Sequence, residues 1–177
     1  MQYFIGIVPP ESYKEKVTKF REGWSNHWIN KVVEPHITLK AQGGLTPDEK
    51  WITKIKQVCS AVEPFQITVG KPEFFFDSIV YLSIESKELF TLHKKLVQNI
   101  SPSPESIKQY FELEDFVPHM SIGKTYYGMT TEELQDMARL AEEELQPYPS
   151  FNVDFIRVYR EVEPHVYVKY FDVPLNH

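Results

Sequence analysis

The sequence Pro35-His36-Ile37-Thr38-Leu39-Lys40 recurs in the second half of the chain as Pro118-His119-Met120-Ser121-Ile122-Gly123-Lys124. Both copies place a histidine after a proline, and one apolar residue separates the histidine from a residue that carries a hydroxyl. On a β-strand, residues two apart point to the same face. We therefore predict two strands that each present a histidine and a hydroxyl on one face and apolar side chains on the core face.

A capping-box pattern follows each of the two motifs. Thr46-Pro47-Asp48-Glu49 and Thr130-Thr131-Glu132-Glu133 both place a glutamate three residues after a threonine, which is typical of a helix N-terminus. We predict one helix from about Pro47 to Val62 and a second that runs to about Leu145.

The elements around the motifs recur in the same order, and apolar runs and helical spacings mark them. We therefore predict a single domain, 1–177, with an internal repeat of approximately 1–77 and 78–177. The remaining predicted elements are strands at 3–8, 65–70, 73–76, 80–85, 151–160 and 166–173, the last two as a hairpin, and helices at 11–24 and 87–99.

One stretch, residues 101–115, interrupts this order with the sequence Ser101-Pro102-Ser103-Pro104. It is either a lid over the groove or a solvated connector. The acidic run Glu112-Leu113-Glu114-Asp115 within it is predicted to be solvated surface.

Two histidines and two hydroxyls suit displacement at phosphorus. Imidazole titrates near neutral pH, so one ring can accept a proton while the other donates one. The hydroxyls of Thr38 and Ser121 can donate hydrogen bonds to the non-bridging phosphate oxygens. The sequence thus predicts a phosphodiester site with His36 and His119 as general acid and base. This scheme needs no metal and no cofactor, and the residues alone leave open which histidine is the acid.

The two motifs resemble the two-histidine (2H) phosphoesterase superfamily, which includes 2'-5' RNA ligase-like proteins and cyclic phosphodiesterases. Members carry two His-x-Thr/Ser-x motifs in a duplicated fold, and the resemblance covers essentially the whole chain, most closely with a small bacterial branch. It implies an α+β fold of two pseudo-symmetric lobes, each an antiparallel sheet with helices on its outer face, and an active-site groove between them. It also implies that His36 is the proton donor and His119 the proton acceptor.

The substrate that this resemblance implies is a nucleotide or RNA 2',3'-cyclic phosphate end or a related 2'-linked phosphodiester. The alternative is a module that binds an RNA end or a nucleotide without turnover. Whether hydrolysis or ligation is the direction in the cell stays open. Two histidines could also ligate a metal, but metal sites usually take three or four ligands. Because neither motif brings Asp or Glu onto its histidine face, we expect no metal ligand.

Several other residues are weaker candidates. Lys40 and Lys124 follow the hydroxyls and either attract an anionic substrate or are ordinary solvated lysines; Lys124 would need a bulge to reach the histidine face. Tyr126 either stacks a base or packs after the strand. A third Pro-His pair, at Pro164-His165, is interpreted as the start of a strand.

The composition limits the functional classes. A formal net charge of −6 argues against a protein that coats long nucleic acid. Cys59 is the only cysteine, which excludes an internal disulfide. We find neither a signal peptide nor a membrane span, and we expect a cytoplasmic monomer whose partner is a small phosphodiester substrate.

Overall fold

The computed structural model describes residues 1–176, which form eight strands and five helices. The strands are β1 (Tyr3–Ile7), β2 (Ile37–Lys40), β3 (Phe65–Phe75), β4 (Ile79–Glu85), β5 (His119–Lys124), β6 (Ser150–Val153), β7 (Phe155–Glu163) and β8 (Val166–Pro174). The helices are α1 (Glu11–Arg21), α2 (Trp51–Ser60), α3 (Lys87–Ile100), α4 (Pro104–Gln109) and α5 (Thr131–Glu144). None of the helices in this part of the chain is both long and apolar enough to cross a membrane.

The strands form two four-stranded antiparallel sheets, in the orders β2-β1-β7-β8 and β5-β4-β3-β6. The two orders are equivalent position by position, and the strand that carries each histidine motif lies at a sheet edge. These two edge strands, β2 and β5, approach each other between the sheets. The predicted α+β fold of two antiparallel lobes is confirmed, and the contact between β2 and β5 is what brings the two motifs to one place.

Each sheet takes strands from both halves of the chain. β7 and β8 complete the sheet of β1 and β2, whereas β3 pairs with β4 of the other sheet. The helices also pack against strands of the other half of the chain: α1 packs on β5, and α3 packs on β2. A boundary near residue 77 therefore does not separate the lobes, and the internal repeat stays a prediction about sequence.

The core face of both motif strands is apolar, as the alternation predicts. Ile37, Leu39, Met120 and Ile122 are all 0% exposed and belong to one core cluster that spans both sheets. Burial of side chains of this size stabilises the fold by about 1.5–3 kcal/mol each. The same burial fixes the register of both strands, because a one-residue slip would turn the histidines into the core.

One of the two predicted capping boxes is wrong. Thr130 caps α5, with the Glu133 backbone N–H donating to its hydroxyl and the Thr130 N–H donating to the Glu133 carboxylate. In contrast, α2 begins only at Trp51, because Glu49 has a left-handed φ of 59°. The Glu49 carboxylate accepts hydrogen bonds from the hydroxyls of Tyr3 and Tyr170 instead of capping a helix. Tertiary contacts thus override the local pattern.

Two strand predictions also change. The predicted strands at 65–70 and 73–76 are one strand, β3, whose pairing shifts between Val69 and Pro72. The predicted strand at 151–160 is two strands, because β6 and β7 pair in different sheets. The β7–β8 hairpin forms as predicted. Residues 101–115 include α4 and a short 3-10 helix at Leu113–Asp115, so this segment is more ordered in structure than its sequence suggests.

Candidate active site

The side chains of both motifs line one cavity of about 350 Å³ between the sheets. His36 and Thr38 line it from one side, and His119 and Ser121 line it from the other. The structure therefore brings together the four residues that the repeated motif singled out. The other lining residues are Gln2, Phe4, Arg21, Ile29, Val32, Val33, Gln42, Tyr110, Lys124, Tyr127, His165 and Tyr167.

Both histidine rings are held in the same way. His36 Nδ1 lies 2.8 Å from the Glu34 carbonyl oxygen, and His119 Nδ1 lies 2.8 Å from the Val117 carbonyl oxygen. A carbonyl oxygen can only accept, so Nδ1 carries the proton in each ring. The neutral rings therefore leave Nε2 unprotonated, which makes Nε2 the nitrogen that can exchange a proton with a bound molecule.

Each histidine also packs on two aromatic rings from equivalent strands of its sheet. His36 lies 4.9 Å from Phe4 and 5.5 Å from Tyr159, ring centroid to ring centroid. His119 lies 5.3 Å from Tyr81 and 4.9 Å from Phe75. These four aromatic residues fix the orientation of the imidazoles and remove water from one side of each ring.

Burial favours the neutral form of both imidazoles. Burial is the largest cause that lowers the pKa of His36, and together with the nearby charges of Arg21, Lys124 and His119 it brings that pKa to about 3. The pKa of His119 is lowered by burial and then by Lys124. Because a bound anion would oppose these effects, we expect an anionic ligand to raise both values.

A β-bulge follows the hydroxyl in each motif strand. Thr38 pairs with Gly6 and Lys40 with Ile5, so Leu39 is the extra residue. In β5, Ser121 pairs with Tyr81 and Gly123 with Val80, so Ile122 is the extra residue. In β2 the bulge keeps Lys40 buried, and in β5 it keeps Gly123 buried and returns Lys124 to the cavity side.

The bulges determine on which face of its strand each lysine lies. Lys124 lines the cavity, as the prediction of a bulge required, and its Nζ lies 5.3 Å from the centre of the Tyr127 ring. Lys40 is 0% exposed on the core face, and its Nζ lies 3.0 Å from a Glu112 carboxylate oxygen. The prediction of Lys40 as a substrate-binding residue is therefore wrong for direct contact. The prediction that Glu112 is solvated is wrong as well, since it is 2% exposed.

Arg21 is a cavity residue that the motifs did not indicate. Its Nη2 donates to the Ser121 carbonyl oxygen at 2.7 Å, and its Nη1 donates to the Val33 carbonyl oxygen at 3.1 Å. Burial lowers the pKa of this guanidinium to about 9, a value at which it stays charged at pH 7. One signal could have identified it: Arg21 lies four residues after Val17 and eight after Tyr13, on the buried face of α1.

The β7–β8 turn and the start of β8 supply two cavity residues that were not among the predicted site residues. His165 and Tyr167 line the cavity, and the Tyr167 hydroxyl accepts from the Gln42 amide at 3.2 Å and donates to the Gln2 amide oxygen at 3.2 Å. His165 is thus more than the start of a strand. Tyr126 is not a lining residue; it is 65% exposed, with its ring 6.2 Å from His165. A role for Tyr126 in base stacking stays a prediction.

The charge balance of the cavity is positive. Arg21 and Lys124 line it as cations, and its lining contains no carboxylate among the residues described. Within the same part of the chain, no group of three or more His, Cys, Asp or Glu side chains is placed to hold a metal ion. Two fixed cations, two hydroxyls and two imidazoles together form a suitable site for a phosphate group.

Comparison with known proteins assigns the family. The sequence profile of the 2'-5' RNA ligase superfamily matches residues 8–165. The chain belongs to this superfamily. The resemblance to the 2H phosphoesterases is thereby confirmed, and with it membership in a family of phosphoesterase enzymes.

Two relatives are similar in sequence to this chain over most of its length. It is 25% identical over 168 residues to an RNA 2',3'-cyclic phosphodiesterase of Methanocaldococcus jannaschii, covering 90% of this chain and 91% of the relative. It is 24% identical over 145 residues to a Staphylococcus epidermidis protein assigned to the phosphoesterases, covering 75% of each.

Two solved structures share the fold of this chain. The protein TT0787 of Thermus thermophilus superposes with a TM-score of 0.64 at 15% identity, over 99% of this chain and 98% of that chain. E. coli LigT complexed with 3'-AMP superposes with a TM-score of 0.63 at 16% identity, with the same coverage. The two-lobed architecture is thus retained where little sequence identity remains.

Substitution of Lys124 by methionine tests the positive charge of the cavity. Methionine keeps most of the side-chain volume but removes the ammonium, and a hydrogen bond to a charged group contributes about 1.5–3 kcal/mol. We expect Lys124→Met to weaken sulfate binding roughly 10- to 100-fold in a calorimetric titration. Lys94→Met, at an exposed lysine of α3, should bind like the wild type. Equal affinities in all three proteins would contradict a role for Lys124 in anion binding.

Proposed function

We propose that this protein is a metal-independent cyclic phosphodiesterase that opens a nucleotide or RNA 2',3'-cyclic phosphate by two-histidine acid–base catalysis. The observation that carries the proposal is the pair of imidazoles on one cavity, each with Nδ1 bonded to a backbone carbonyl and Nε2 available. A shared cavity suits a reaction in which one group removes a proton and another delivers one.

The proposed reaction is hydrolysis of a cyclic phosphodiester. His119 accepts a proton from water at Nε2 while the water oxygen bonds to phosphorus. His36, protonated at Nε2, gives its proton to the ribose oxygen as the bond from that oxygen to phosphorus breaks. The product is a phosphomonoester with a free neighbouring hydroxyl. General acid–base assistance of this kind contributes about 10²- to 10⁴-fold to the rate.

The hydroxyls and cations stabilise charge on the phosphate. Thr38 and Ser121 lie two residues after the histidines and donate to the non-bridging oxygens, where charge grows in the transition state. Lys124 and Arg21 offset that charge, and Arg21 also holds the Ser121 backbone through its carbonyl. The phosphate in turn raises the pKa of both imidazoles, which allows His36 to carry its proton in the complex.

Two relatives support the substrate class. The M. jannaschii relative is an RNA 2',3'-cyclic phosphodiesterase, and E. coli LigT has been crystallised with 3'-AMP. A nucleoside 3'-phosphate has the form expected of a product of cyclic phosphate opening on the 2' side.

The direct test is turnover of 2',3'-cyclic AMP in the presence of EDTA. We expect conversion to an adenosine phosphomonoester, unaffected by the chelator, with a bell-shaped dependence of kcat/KM on pH. Activity lost with EDTA and restored by Zn²⁺ or Mn²⁺ would overturn the metal-free scheme. Binding without turnover, unchanged in His36→Ala and His119→Ala, would favour the binding-module alternative.

The lowered pKa values of the histidines predict how anion binding depends on pH. Sulfate stays doubly charged throughout, so any change in its affinity comes from the protein. Because a bound anion favours the protonated imidazoles and the free protein disfavours them, sulfate binding should take up protons and strengthen as pH falls. We expect sulfate to raise Tm more at pH 5.5 than at pH 8.

The double variant His36→Ala/His119→Ala is the control for this measurement. It should show a small sulfate effect that is similar at the two pH values. A wild-type Tm shift that does not change with pH would indicate that the imidazoles do not face the bound anion.

A further inference from the structure

The carboxylate of Glu34, two residues before His36, is held by three donors from two other elements. Its Oε1 accepts from Arg157 Nη1 at 2.7 Å and from the Tyr159 hydroxyl at 2.9 Å, both on β7. Its Oε2 accepts from Lys14 Nζ of α1 at 2.9 Å. Burial acts to raise the pKa of Glu34, but these three hydrogen bonds outweigh it and hold that pKa below its ordinary value. The carboxylate is therefore charged at neutral pH.

The groups that donate to this carboxylate are themselves held in place. Arg157 pairs with Asp172 on the neighbouring strand β8, with Nε 2.8 Å from Oδ1 and Nη2 3.2 Å from Oδ2. A bidentate pair of this kind fixes the plane of the guanidinium. Lys14 Nζ also lies 3.1 Å from a carboxylate oxygen of Glu11. The ion pairs thus connect β8, β7 and α1 to the residue that precedes the first histidine motif.

Glu34 acts on the His36 imidazole by two routes. Its backbone carbonyl oxygen accepts from Nδ1 of the ring at 2.8 Å. Its carboxylate accepts from Tyr159, whose ring packs on the imidazole with the centroids 5.5 Å apart. Gly6 makes room for this packing, because a Cβ atom there would lie 3.1 Å from Tyr159 Cε2 and 3.6 Å from His36 Cδ2. An anchored Glu34 side chain therefore holds both the acceptor and the neighbouring ring.

The corresponding positions at the second histidine are apolar. Val117 lies two residues before His119, and its side chain is 46% exposed. Phe75, on the strand equivalent to β7, packs on His119 but has no hydroxyl to donate. Both rings nevertheless donate from Nδ1 to a backbone carbonyl at 2.8 Å. The fold can thus hold a histidine in this way without a carboxylate, so the Glu34 network is an addition that serves His36.

We infer that Glu34 is a positioning residue for His36, and that its carboxylate keeps Nε2 of this one ring aimed at the reacting phosphodiester. The inference rests on the proposed function, in which His36 gives its proton to the ribose oxygen. Glu34 is not a lining residue of the catalytic cavity, so it acts through His36 and not on the substrate. A displacement of about 1 Å in a reacting group can lower a rate by about 10²-fold.

Kinetics of Glu34 variants test the inference. Glu34→Ala should lower kcat on 2',3'-cyclic AMP by roughly 10- to 100-fold. KM should change much less, because the cations and hydroxyls that hold the phosphate remain. Glu34→Gln keeps an acceptor oxygen at the same side-chain length and should recover most of the lost kcat. Glu11→Ala is the matched control, since it removes the other carboxylate at Lys14 and should match the wild type.

A double variant tests whether Tyr159 belongs to the same unit. Tyr159→Phe keeps the ring on His36 and removes only the hydroxyl, so it should lower kcat less than Glu34→Ala does. Residues that act through one network are non-additive. Glu34→Ala/Tyr159→Phe should therefore have the kcat of Glu34→Ala alone. Losses that multiply in the double variant would contradict a shared network.

The tautomer of each histidine gives a measurement that needs no turnover. In ¹⁵N-labelled protein at pH 8, correlations between the ring protons and ring nitrogens show which nitrogen carries the proton, and His36→Ala and His119→Ala assign the two rings. Both rings should carry it on Nδ1 in the wild type. In Glu34→Ala, His36 should change to a mixture of tautomers, whereas His119 should not change.

These results separate the inference from the proposed function. An unchanged His36 tautomer in Glu34→Ala, an equal change at His119, or a kcat equal to that of the wild type would overturn the positioning role. A wild type that does not turn over 2',3'-cyclic AMP, but whose His36 tautomer depends on Glu34, would refute the proposed function and leave Glu34 as the residue that orients His36.

Discussion

His119→Ala and His36→Ala are each expected to lower kcat on 2',3'-cyclic AMP by about 10²- to 10⁴-fold, the range that general acid–base assistance supplies. Each change removes one of the two proton-transfer groups and leaves the hydroxyls and cations that hold the phosphate. KM should therefore change much less than kcat. Initial rates of product formation, measured over a range of substrate concentrations, would give both kcat and KM.

The double variant provides a further check on this expectation. Residues that act as a unit lose activity non-additively, so removing both histidines should cost little more than removing one. Thr38→Ser keeps the hydroxyl and should retain most of the activity. Thr38→Val removes the hydroxyl and should lose most of the activity. Single variants that keep more than a tenth of the wild-type kcat would contradict a two-histidine mechanism.

Glu112→Ala is expected to destabilise the protein by about 3–5 kcal/mol, because it leaves the Lys40 ammonium buried without its counter-ion. Lys40 and Glu112 are both almost fully inaccessible, and Lys40 Nζ also donates to the carbonyl oxygens of Ala41 and Gly43 at 2.7 Å each. Urea unfolding at pH 7 would measure the loss. Glu114→Ala, in the exposed part of the same acidic run, should leave the free energy of unfolding within about 0.5 kcal/mol of wild type.

The pH dependence of the Glu112→Ala variant has a defined sign. Burial lowers the pKa of Lys40 below its ordinary value in the folded state. The unfolded state then binds more protons, so the stability of the variant should rise with pH as pH approaches the unfolded pKa of lysine. A second variant, Lys40→Met/Glu112→Leu, removes both charges and should recover much of the loss. Full stability of Glu112→Ala at pH 7 would show that the ion pair does not hold this segment.

The buried pair also bears on residues 101–115. Glu112 ties the segment to β2 through Lys40, and His93 ties it a second time through the Leu113 N–H. Tyr110, next to these anchors, lines the catalytic cavity. The segment thus forms a wall of the site that is anchored in this structure, and its opening as a lid stays a prediction.

Local sequence pattern was sufficient for part of this protein. Alternation along a strand placed His36 with Thr38 and His119 with Ser121 because the faces of a strand repeat every two residues whatever surrounds it. The capping box at Thr130 formed because its hydrogen bonds are between neighbours in sequence. The repeat of the motif predicted one shared site, because the proposed chemistry uses two histidines and each copy of the motif supplies one.

Contacts between distant segments decided the rest. Lys40 lies in the core and Lys124 in the cavity because of bulges and of Glu112, which is far from Lys40 in sequence. The capping box predicted at Thr46 does not form, because the Glu49 carboxylate accepts hydrogen bonds from Tyr3 and Tyr170 instead. Arg21 is part of the site only because α1 packs on a strand of the other half. The periodicity of the sequence predicts which face of an element a residue occupies. Which residues pack against that face depends on packing and charge pairing between segments that are distant in sequence.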